Sequence, residues 1–157
     1  MTPNAIEFTQ VDPDGEVASR LLQRYYNELN ARFEEGFDVD SSKPTPTDEF
    51  RAPHGTFLVA RIDELPVGCG AIRRLDDTTG EIKRMWLDPS IRGKGLGRQM
   101  LAALESVARE LGYTSLCLDT SRFLSEAISL YRSSGYEDVA AYNDNPHADL
   151  WFLKQDL

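Results

Sequence analysis

The stretch from Glu81 to Gly112 constrains this chain more than any other part of its sequence. It begins as a strand-like run that ends at Asp88-Pro89, passes through a glycine-rich turn at Arg92–Arg98, and enters a run with apolar residues at helical spacing. Those apolar residues are Leu96, Met100, Leu101, Leu104, Val107, Ala108 and Leu111. Gly112 is predicted to end the helix. A strand, a glycine turn and a helix N-terminus in this order favour an anion site, because small residues let backbone N–H groups approach a phosphate.

Basic residues surround this turn in a chain that is otherwise acidic. The 157 residues carry a formal net charge of −9, whereas the segment from Arg73 to Arg98 holds seven basic and four acidic residues. That segment is therefore +3 and leaves −12 for the rest of the chain. A local cluster of basic residues at a glycine turn favours a small phosphorylated ligand. It argues against binding of nucleic acid, which needs a broad basic face. The alternative is a tight strand-to-helix connection with basic residues around it.

Length and composition predict a single domain that spans residues 1–157. No apolar run approaches the length of a membrane span, and the N-terminus lacks the layout of a signal peptide, so we expect a cytoplasmic protein without a membrane partner. Cys69 and Cys117 lie in apolar runs, which favours buried, reduced thiols over a disulfide. His54 and His147 lack partners at ligand spacing, so no metal is expected.

The remaining patterns predict an α/β protein with a mixed sheet. Strands are predicted over Ala5–Gln10, Thr56–Ile62, Val67–Leu75, Glu81–Leu87, Ser115–Thr120, Tyr136–Tyr142 and Leu150–Lys154. Helices are predicted from Glu16 to a break at Gly36, from Leu96 onward, and over Ser125–Ser134. Consecutive strands with short turns form an antiparallel meander, and the later strand–helix–strand passage predicts one parallel pairing. We therefore expect a mostly antiparallel sheet of about six to seven strands, flanked by helices.

An acidic segment separates the first predicted helix from the second strand. Between Glu34 and Glu49 lie six acidic residues and one lysine, with prolines at 44 and 46. We expect a loop here, with a helical turn near Thr47–Arg51. Such segments are most often only solvated, and the alternative is that this one attracts a cationic substrate.

Two motifs in this order resemble those of the GNAT acetyltransferase superfamily. The motif Arg/Gln-x-x-Gly-x-Gly/Ala is met by Arg92, Gly95 and Gly97. The later motif Ala-x-x-x-Tyr-x-x-x-Gly-Tyr/Phe is met by Ala127, Tyr131, Gly135 and Tyr136. The resemblance spans Thr56 to the C-terminus and is weaker before Thr56, the part that usually shapes the acceptor site. Many members have an asparagine three residues before the alanine, where this chain has Leu124.

The resemblance implies an N-acetyltransferase that uses acetyl-CoA and no metal. In that family the CoA pyrophosphate lies on backbone N–H groups of the glycine turn, and the preceding strand offers backbone groups at a bulge to pantetheine. The cofactor-binding residues that it implies here are Met85, Trp86, Leu87, Arg92, Gly93, Lys94, Gly95, Leu96, Gly97 and Arg98. A backbone N–H of the strand can also face the thioester oxygen as negative charge develops on it.

The same resemblance implies two catalytic residues. Glu81 lies eleven positions before Arg92. In the histone-modifying members of the family, the general-base glutamate has this same spacing. A base is useful because the attacking amine must be neutral. The alternative is a polar strand residue that pairs with Lys83, which strand parity places on the same face, or with an arginine. Tyr131 matches the usual general acid for the leaving thiolate, and the alternative is a tyrosine of the apolar helix face.

We expect the acceptor to be the primary amine of a small molecule that attacks directly in a ternary complex, because nothing in the sequence indicates a peptide groove. The acidic remainder of the chain weakly favours a cationic acceptor. One alternative is a protein or peptide acceptor, and another is a non-catalytic acyl-CoA-binding sensor, against which the presence of both Glu81 and Tyr131 argues. A dinucleotide-binding domain is disfavoured because Gly-x-Gly-x-x-Gly, begun at Gly93, would end on Arg98. Homodimers are common in the family.

Overall fold

The computed structural model describes residues 6–32, 46–122 and 124–157. In these ranges the chain forms seven strands: β1 (Ile6–Gln10), β2 (Thr56–Ile62), β3 (Leu65–Arg74), β4 (Thr79–Leu87), β5 (Ser115–Thr120), β6 (Glu137–Val139) and β7 (Leu150–Lys154). The helices of the same ranges are α1 (Glu16–Arg32), α2 (Leu96–Glu110) and α3 (Ser125–Ser133). Short 3₁₀ helices cover Thr47–Phe50 and Pro89–Ile91.

All seven strands belong to one mixed sheet in the order β1-β2-β3-β4-β5-β7-β6. Strands β2, β3 and β4 form the predicted antiparallel meander, and β4 and β5 form the predicted parallel pair, joined through α2. The prediction of an α/β protein with a mostly antiparallel sheet and one parallel pairing is thus confirmed. Strand β7 lies between β5 and β6, so the last strand of the chain is not at the edge of the sheet.

The parallel pairing of β4 with β5 is short and covers only the first part of β4. Only Thr79–Glu81 of β4 pair with Ser115–Cys117 of β5. Strand β4 continues to Leu87, beyond the last residue that it pairs with β5. The later part of β4 therefore has backbone groups on its β5 side that the sheet ladder does not use.

A bulge in β4 reverses which of its side chains face each side of the sheet. Arg84 has a φ of 56°, in the left-handed region that costs a non-glycine residue on the order of 1–3 kcal/mol. Ile82 packs in the core that contains α2, whereas Trp86 packs in the core that contains α1, although regular alternation would place both on one face. Lys83 precedes the bulge and shares the face of Glu81, as strand parity predicted.

Two apolar cores cover the two faces of the sheet. The larger one joins the sheet to α2 and α3, and buries the predicted apolar stripe of α2 at Met100, Leu101, Leu104 and Ala108. The smaller one lies beneath α1 and the first 3₁₀ helix, around Leu21, Phe50 and Phe57.

Replacing Leu104 by alanine is expected to lower the free energy of unfolding by about 2–5 kcal/mol, because this side chain is fully buried and its loss leaves a cavity. Leu65 is a matched control, since 67% of it is exposed, and Leu65→Ala is expected to change stability by no more than about 0.5 kcal/mol. Urea unfolding of both variants measures the difference. Equal, small losses would show that α2 is not packed on the sheet as described.

Most predicted element bounds agree with the structure to within two residues, and the exception is β6. The predicted strand Tyr136–Tyr142 is too long, since β6 ends at Val139. The chain leaves the sheet after Val139, and the Tyr142 hydroxyl donates a hydrogen bond to Glu81. The helical turn near Thr47–Arg51 is confirmed as a 3₁₀ helix. Residues 33–45 and Ala5 lie outside the described residues, so the predicted acidic loop and the break at Gly36 stay predictions.

Cys69 and Cys117 are both free and buried, as the sequence predicted. Burial raises the pKa of each thiol to about 12, so both keep their protons at neutral pH. The described part of the chain contains neither a helix long and apolar enough to cross a membrane nor a group of three or more His, Cys, Asp and Glu residues that could hold a metal ion.

Candidate functional site

A cavity of about 500 Å³ lies beside the end of β4, past the point at which β4 and β5 stop pairing. Its walls come from β4, the glycine turn, the start of α2, the helix α3 and the helix α1. A volume of this size is typical of small-molecule sites. The lining includes Tyr25, Glu28, Arg32, Met85, Trp86, Leu87, Arg92, Gly93, Gly95, Gly97, Arg98, Leu124, Glu126, Ala127 and Tyr131.

The glycine turn presents an open backbone at one end of this cavity. Gly93 and Gly95 have φ angles of 80° and 79°, which residues other than glycine rarely adopt. A Cβ atom built on either residue would meet no protein atom within 4 Å. Gly95 is also the N-cap of α2 and provides no side-chain cap, so the first N–H groups of the helix have no capping oxygen from that residue. The turn therefore fits an anionic group through its backbone.

Two of the basic side chains near the turn, those of Arg92 and Arg98, form hydrogen bonds within the protein, whereas Lys94 is exposed. Arg92 donates from Nε to the Leu87 carbonyl at 2.9 Å and from its terminal nitrogen to Glu28 Oε1 at 2.7 Å. Arg98 donates to the Ser133 hydroxyl at 2.8 Å. These contacts hold the turn against α1 and α3, so the site that the turn offers to an anion is chiefly its backbone.

Eight of the ten residues implied as cofactor-binding line the cavity. The other two do not: Lys94 is exposed, and Leu96 packs against the larger core. The cofactor role of all ten stays a prediction, with the strongest geometric support at Gly93 and Gly95.

Helix α1 supplies a charged wall that the sequence did not reveal. Glu28 accepts hydrogen bonds from Trp86 Nε1 at 3.1 Å and from Arg92, and Arg32 lies 2.5 Å from a carboxylate oxygen of Glu126. Burial disfavours the charged form of the Glu28 carboxyl and would by itself raise its pKa. Hydrogen bonds from Arg92 and Trp86 outweigh this effect and hold the pKa below its usual range. The only local signal was the i,i+4 spacing of Glu28 and Arg32, since the other partners of Glu28 lie 58 and 64 positions away.

Tyr131 borders the cavity from α3. Its ring is 7% exposed and packs against Tyr136 and Phe152, with ring centroids 6.1 and 5.9 Å away. Burial, and to a lesser extent the charge of Asp119, raises the pKa of the phenol, which is therefore neutral at physiological pH. Tyr131 is thus both a core residue and a neutral hydrogen-bond donor at the cavity wall. Its catalytic role stays a prediction.

Glu81 does not line the cavity. Its side chain is 2% exposed, and both carboxylate oxygens have partners. Oε1 accepts from Arg73 at 2.9 Å, and Oε2 accepts from the Tyr142 hydroxyl at 2.7 Å and lies 3.4 Å from Lys83 Nζ. A role as general base, which stays a prediction, would require one of these partners to move. Sequence reasoning named a lysine or an arginine as the partner, and it missed Tyr142 because that residue is 61 positions away.

The chain is similar in sequence to known acetyltransferases. A family model described as the acetyltransferase (GNAT) family matches residues 22–136. An IAA acetyltransferase of Azospirillum brasilense is 35% identical over 118 residues, which are 74% of this chain and 72% of that protein. An uncharacterised N-acetyltransferase of Schizosaccharomyces pombe is 30% identical over 141 residues, which are 87% of this chain and 85% of that protein.

The fold is also similar to that of solved acetyltransferases. The PaiA N-acetyltransferase of Thermoplasma acidophilum, in complex with coenzyme A, superposes with a TM-score of 0.72 at 17% identity, over 96% of this chain and 99% of that one. The matched residues 22–136 include every residue of both motifs, from Arg92 in the glycine turn to Tyr136 after α3. This chain therefore belongs to the acetyltransferase (GNAT) family.

Proposed function

We propose that this protein transfers the acetyl group of acetyl-CoA to the primary amine of a small molecule, by direct attack in a ternary complex. Its family makes it an N-acetyltransferase that uses acetyl-CoA, and the kind of amine and the residue roles are the proposed part. One observation carries the proposal: the end of β4, the backbone of the glycine turn and Tyr131 all border the same cavity.

Two parts of the cavity wall fit the pyrophosphate and the pantetheine arm of the cofactor. The turn at Gly93–Gly95 would hold the pyrophosphate on backbone N–H groups, since its left-handed glycines leave the approach to the backbone open. The backbone of Met85–Leu87 would pair with the pantetheine arm, because this part of β4 extends beyond its pairing with β5. Both roles rest on main-chain groups, which explains why the side chains of Arg92 and Arg98 are free to bind α1 and α3.

The chemical step needs few side chains. The amine nitrogen attacks the thioester carbonyl carbon, the C–N bond forms, and the C–S bond breaks with its electron pair going to sulfur. Tyr131 would donate a hydrogen bond to that sulfur, and its raised pKa means that the phenol keeps its own proton. The proton that the amine loses passes to water, and the thiolate takes one from water, so the products are an amide and CoA.

The α1 wall supports a small acceptor. The ion pair between Arg32 of α1 and Glu126 of α3 spans two walls of the cavity at 2.5 Å. A bridged wall suits a compact amine better than an extended peptide, which needs an open groove or a free strand edge. Glu28 and Glu126 are both paired with arginines, so the charge of this wall gives no separate support to a cationic acceptor.

Acetyl-CoA and CoA are expected to stabilise the purified protein, whereas NAD is not. A ligand that binds only the folded state adds about 2.7 kcal/mol at a concentration of 100 Kd, which a thermal-shift titration measures. Release of CoA thiol is then followed with spermidine, tyramine, an aminoglycoside, free amino acids and short peptides as acceptors. Faster release with peptides than with any small amine would contradict the small-molecule acceptor. No stabilisation by either CoA species at millimolar concentration would contradict the cofactor site itself.

A further inference from the structure

One carboxylate oxygen of helix α1 joins two parts of the cavity wall. Glu28 Oε1 accepts a hydrogen bond from Trp86 Nε1 of β4 at 3.1 Å, and another from a terminal nitrogen of Arg92, in the glycine turn, at 2.7 Å. Arg92 Nε donates in turn to the Leu87 carbonyl of β4 at 2.9 Å. Since Trp86 and Leu87 are neighbours in the chain, these three hydrogen bonds form a closed cycle, and all four of its residues line the cavity.

This cycle sets the distance between the two parts of the wall that fit the cofactor. The pantetheine arm is assigned to the backbone of Met85–Leu87, and the pyrophosphate to the backbone of Gly93–Gly95. Only the 3₁₀ helix Pro89–Ile91 lies between β4 and the turn. Because Arg92 directly precedes Gly93, a contact that holds Arg92 against β4 also holds the turn at a fixed distance from the strand.

Helix α1 holds the same corner of the chain through a second residue. Arg24, one helical turn before Glu28, forms an ion pair with Asp88, and its Cζ lies 4.8 Å from the centre of the Trp86 ring. Asp88 Oδ1 accepts from the Ser90 backbone N–H at 2.8 Å and so caps the 3₁₀ helix. Two side chains of α1 thus contact the chain along its whole path from the end of β4 to the turn.

The Glu28 carboxylate is already occupied by groups of the protein. Its Oε1 has the two donors described above, and its Oε2 lies 3.5 Å from Arg32 Nε. The side chains of Glu28 and Arg92 are 20% and 27% exposed, so both charges are largely removed from water. An ammonium group that bound Glu28 would have to displace an arginine and leave that charge without its partner, which is costly. The arrangement therefore suits a structural contact better than an acceptor contact.

We propose that Glu28 is a positioning residue for CoA, which acts through Arg92 and Trp86 to hold the glycine turn and the end of β4 at the spacing that the cofactor needs, and that it does not bind the acceptor amine. The inference rests on the proposed function, which assigns the pyrophosphate to this turn. It gives α1, a helix that lies before both motifs, a role on the donor side of the reaction.

Isothermal titration calorimetry with CoA tests the inference without an acceptor. Glu28→Leu keeps the bulk of the side chain and removes both oxygens, and we expect it to raise the Kd for CoA roughly tenfold, as for a site in its binding geometry a tenth of the time. Glu105→Leu is the matched control. Glu105 also accepts one hydrogen bond from a cation and one from an aromatic residue, Lys154 Nζ and the Tyr136 hydroxyl, each at 3.0 Å, but it does not line the cavity. This control should keep the Kd of the wild type within about twofold.

Hydrogen–deuterium exchange of the ligand-free protein tests the hold on the turn itself. Glu28→Leu is expected to speed exchange in residues 88–97 roughly tenfold, because the turn loses charged hydrogen bonds that keep it closed on β4. Glu105→Leu should leave these residues unchanged. A wild-type Kd for CoA in Glu28→Leu, or unchanged exchange in residues 88–97, would overturn the inference.

Kinetics with the amine that the wild type acetylates fastest separates the donor side from the acceptor side. Glu28→Leu should raise the KM for acetyl-CoA roughly tenfold and leave the KM for the amine within about twofold. Glu28→Gln keeps an oxygen where Oε1 lies, so it should stay within about threefold of the wild type for both substrates. If Glu28 instead bound an ammonium group, both variants would raise the KM for the amine and leave the Kd for CoA unchanged, and that result would overturn the inference.

Arg92→Lys provides a second test that does not depend on the folding of Glu28→Leu. A single ammonium group does not reproduce the two separate donors with which the Arg92 guanidinium reaches Glu28 and the Leu87 carbonyl, so this variant should also speed exchange in residues 88–97. Unchanged exchange would contradict the inference. Absence of CoA binding by the wild type would overturn the proposed cofactor site together with this inference, whereas tight binding that Glu28→Leu does not weaken would overturn the inference alone.

Discussion

Replacing Gly95 by glutamate is expected to abolish the stabilisation of this protein by CoA and acetyl-CoA. The added carboxylate would lie at the uncapped N-terminus of α2, in the space that the left-handed glycines leave open, and would repel a pyrophosphate there. At ligand concentrations that raise the melting temperature of the wild type by several degrees, the variant should show no shift. Thermal-shift titration of both proteins measures this, and a shift of wild-type size in the variant would contradict the assignment of the turn.

Gly112→Glu is a closely matched control for this experiment. Gly112 has a φ of 96°, and a Cβ there would also meet no atom within 4 Å, but it follows the other end of α2. Both substitutions place an L-residue in the left-handed region, at a cost of about 1–2 kcal/mol, and both add one negative charge. Gly112→Glu should therefore lose somewhat more stability than Gly95→Glu, because its carboxylate lies at the negative end of the helix dipole, and it should keep the full ligand-induced shift. Gly95→Ala separates the backbone cost from the charge, since it adds no carboxylate.

Features of the fold that depend on near neighbours were predicted from the sequence. Helix α2 follows the glycine turn and begins at Leu96 because its apolar stripe and its flanking glycines are local signals. Strand β5 begins and ends as predicted, because a short apolar run between two helices, the first of which ends at a glycine, has clear limits in the sequence. The placement of β7 between β5 and β6 was not predictable, because the pattern of each strand says nothing about its neighbours.

Of the residues that line the cavity, sequence reasoning had named those that lie close together in the chain, and also Tyr131 from the second motif. The glycine turn and the end of β4 lie within one stretch of chain, and both line the cavity. The wall from α1 was missed, because Glu28 looks like an ordinary polar-face residue until the fold brings Trp86 and Arg92 to it. Likewise, the register of Glu81 matched a general base, but its partners Arg73 and Tyr142 lie 8 and 61 positions away and are brought to it by strand pairing and by the segment 140–149.

Removing the hydroxyl of Tyr131 is expected to lower kcat roughly a hundredfold or more if this group assists the leaving thiolate. The phenylalanine ring would keep its contacts with Tyr136 and Phe152, so stability and the KM for acetyl-CoA should change little. The raised pKa of the Tyr131 phenol also predicts how kcat depends on pH. A donor whose pKa lies above the usual value of about 10 stays protonated up to that pH, so kcat of the wild type should not fall between about pH 7 and pH 10 through ionisation of Tyr131.

Tyr136→Phe distinguishes this catalytic effect from a packing effect. Tyr136 packs against Tyr131 in the same core, but it does not line the cavity, and its hydroxyl donates to Glu105 at 3.0 Å. That variant should lose stability, because Glu105 keeps only Lys154 as its partner, and should retain kcat. Initial rates of CoA release with the best amine of the panel compare the two. Wild-type kcat in Tyr131→Phe would mean that the thiolate leaves without help, and Tyr131 would then be only a core residue at the cavity wall.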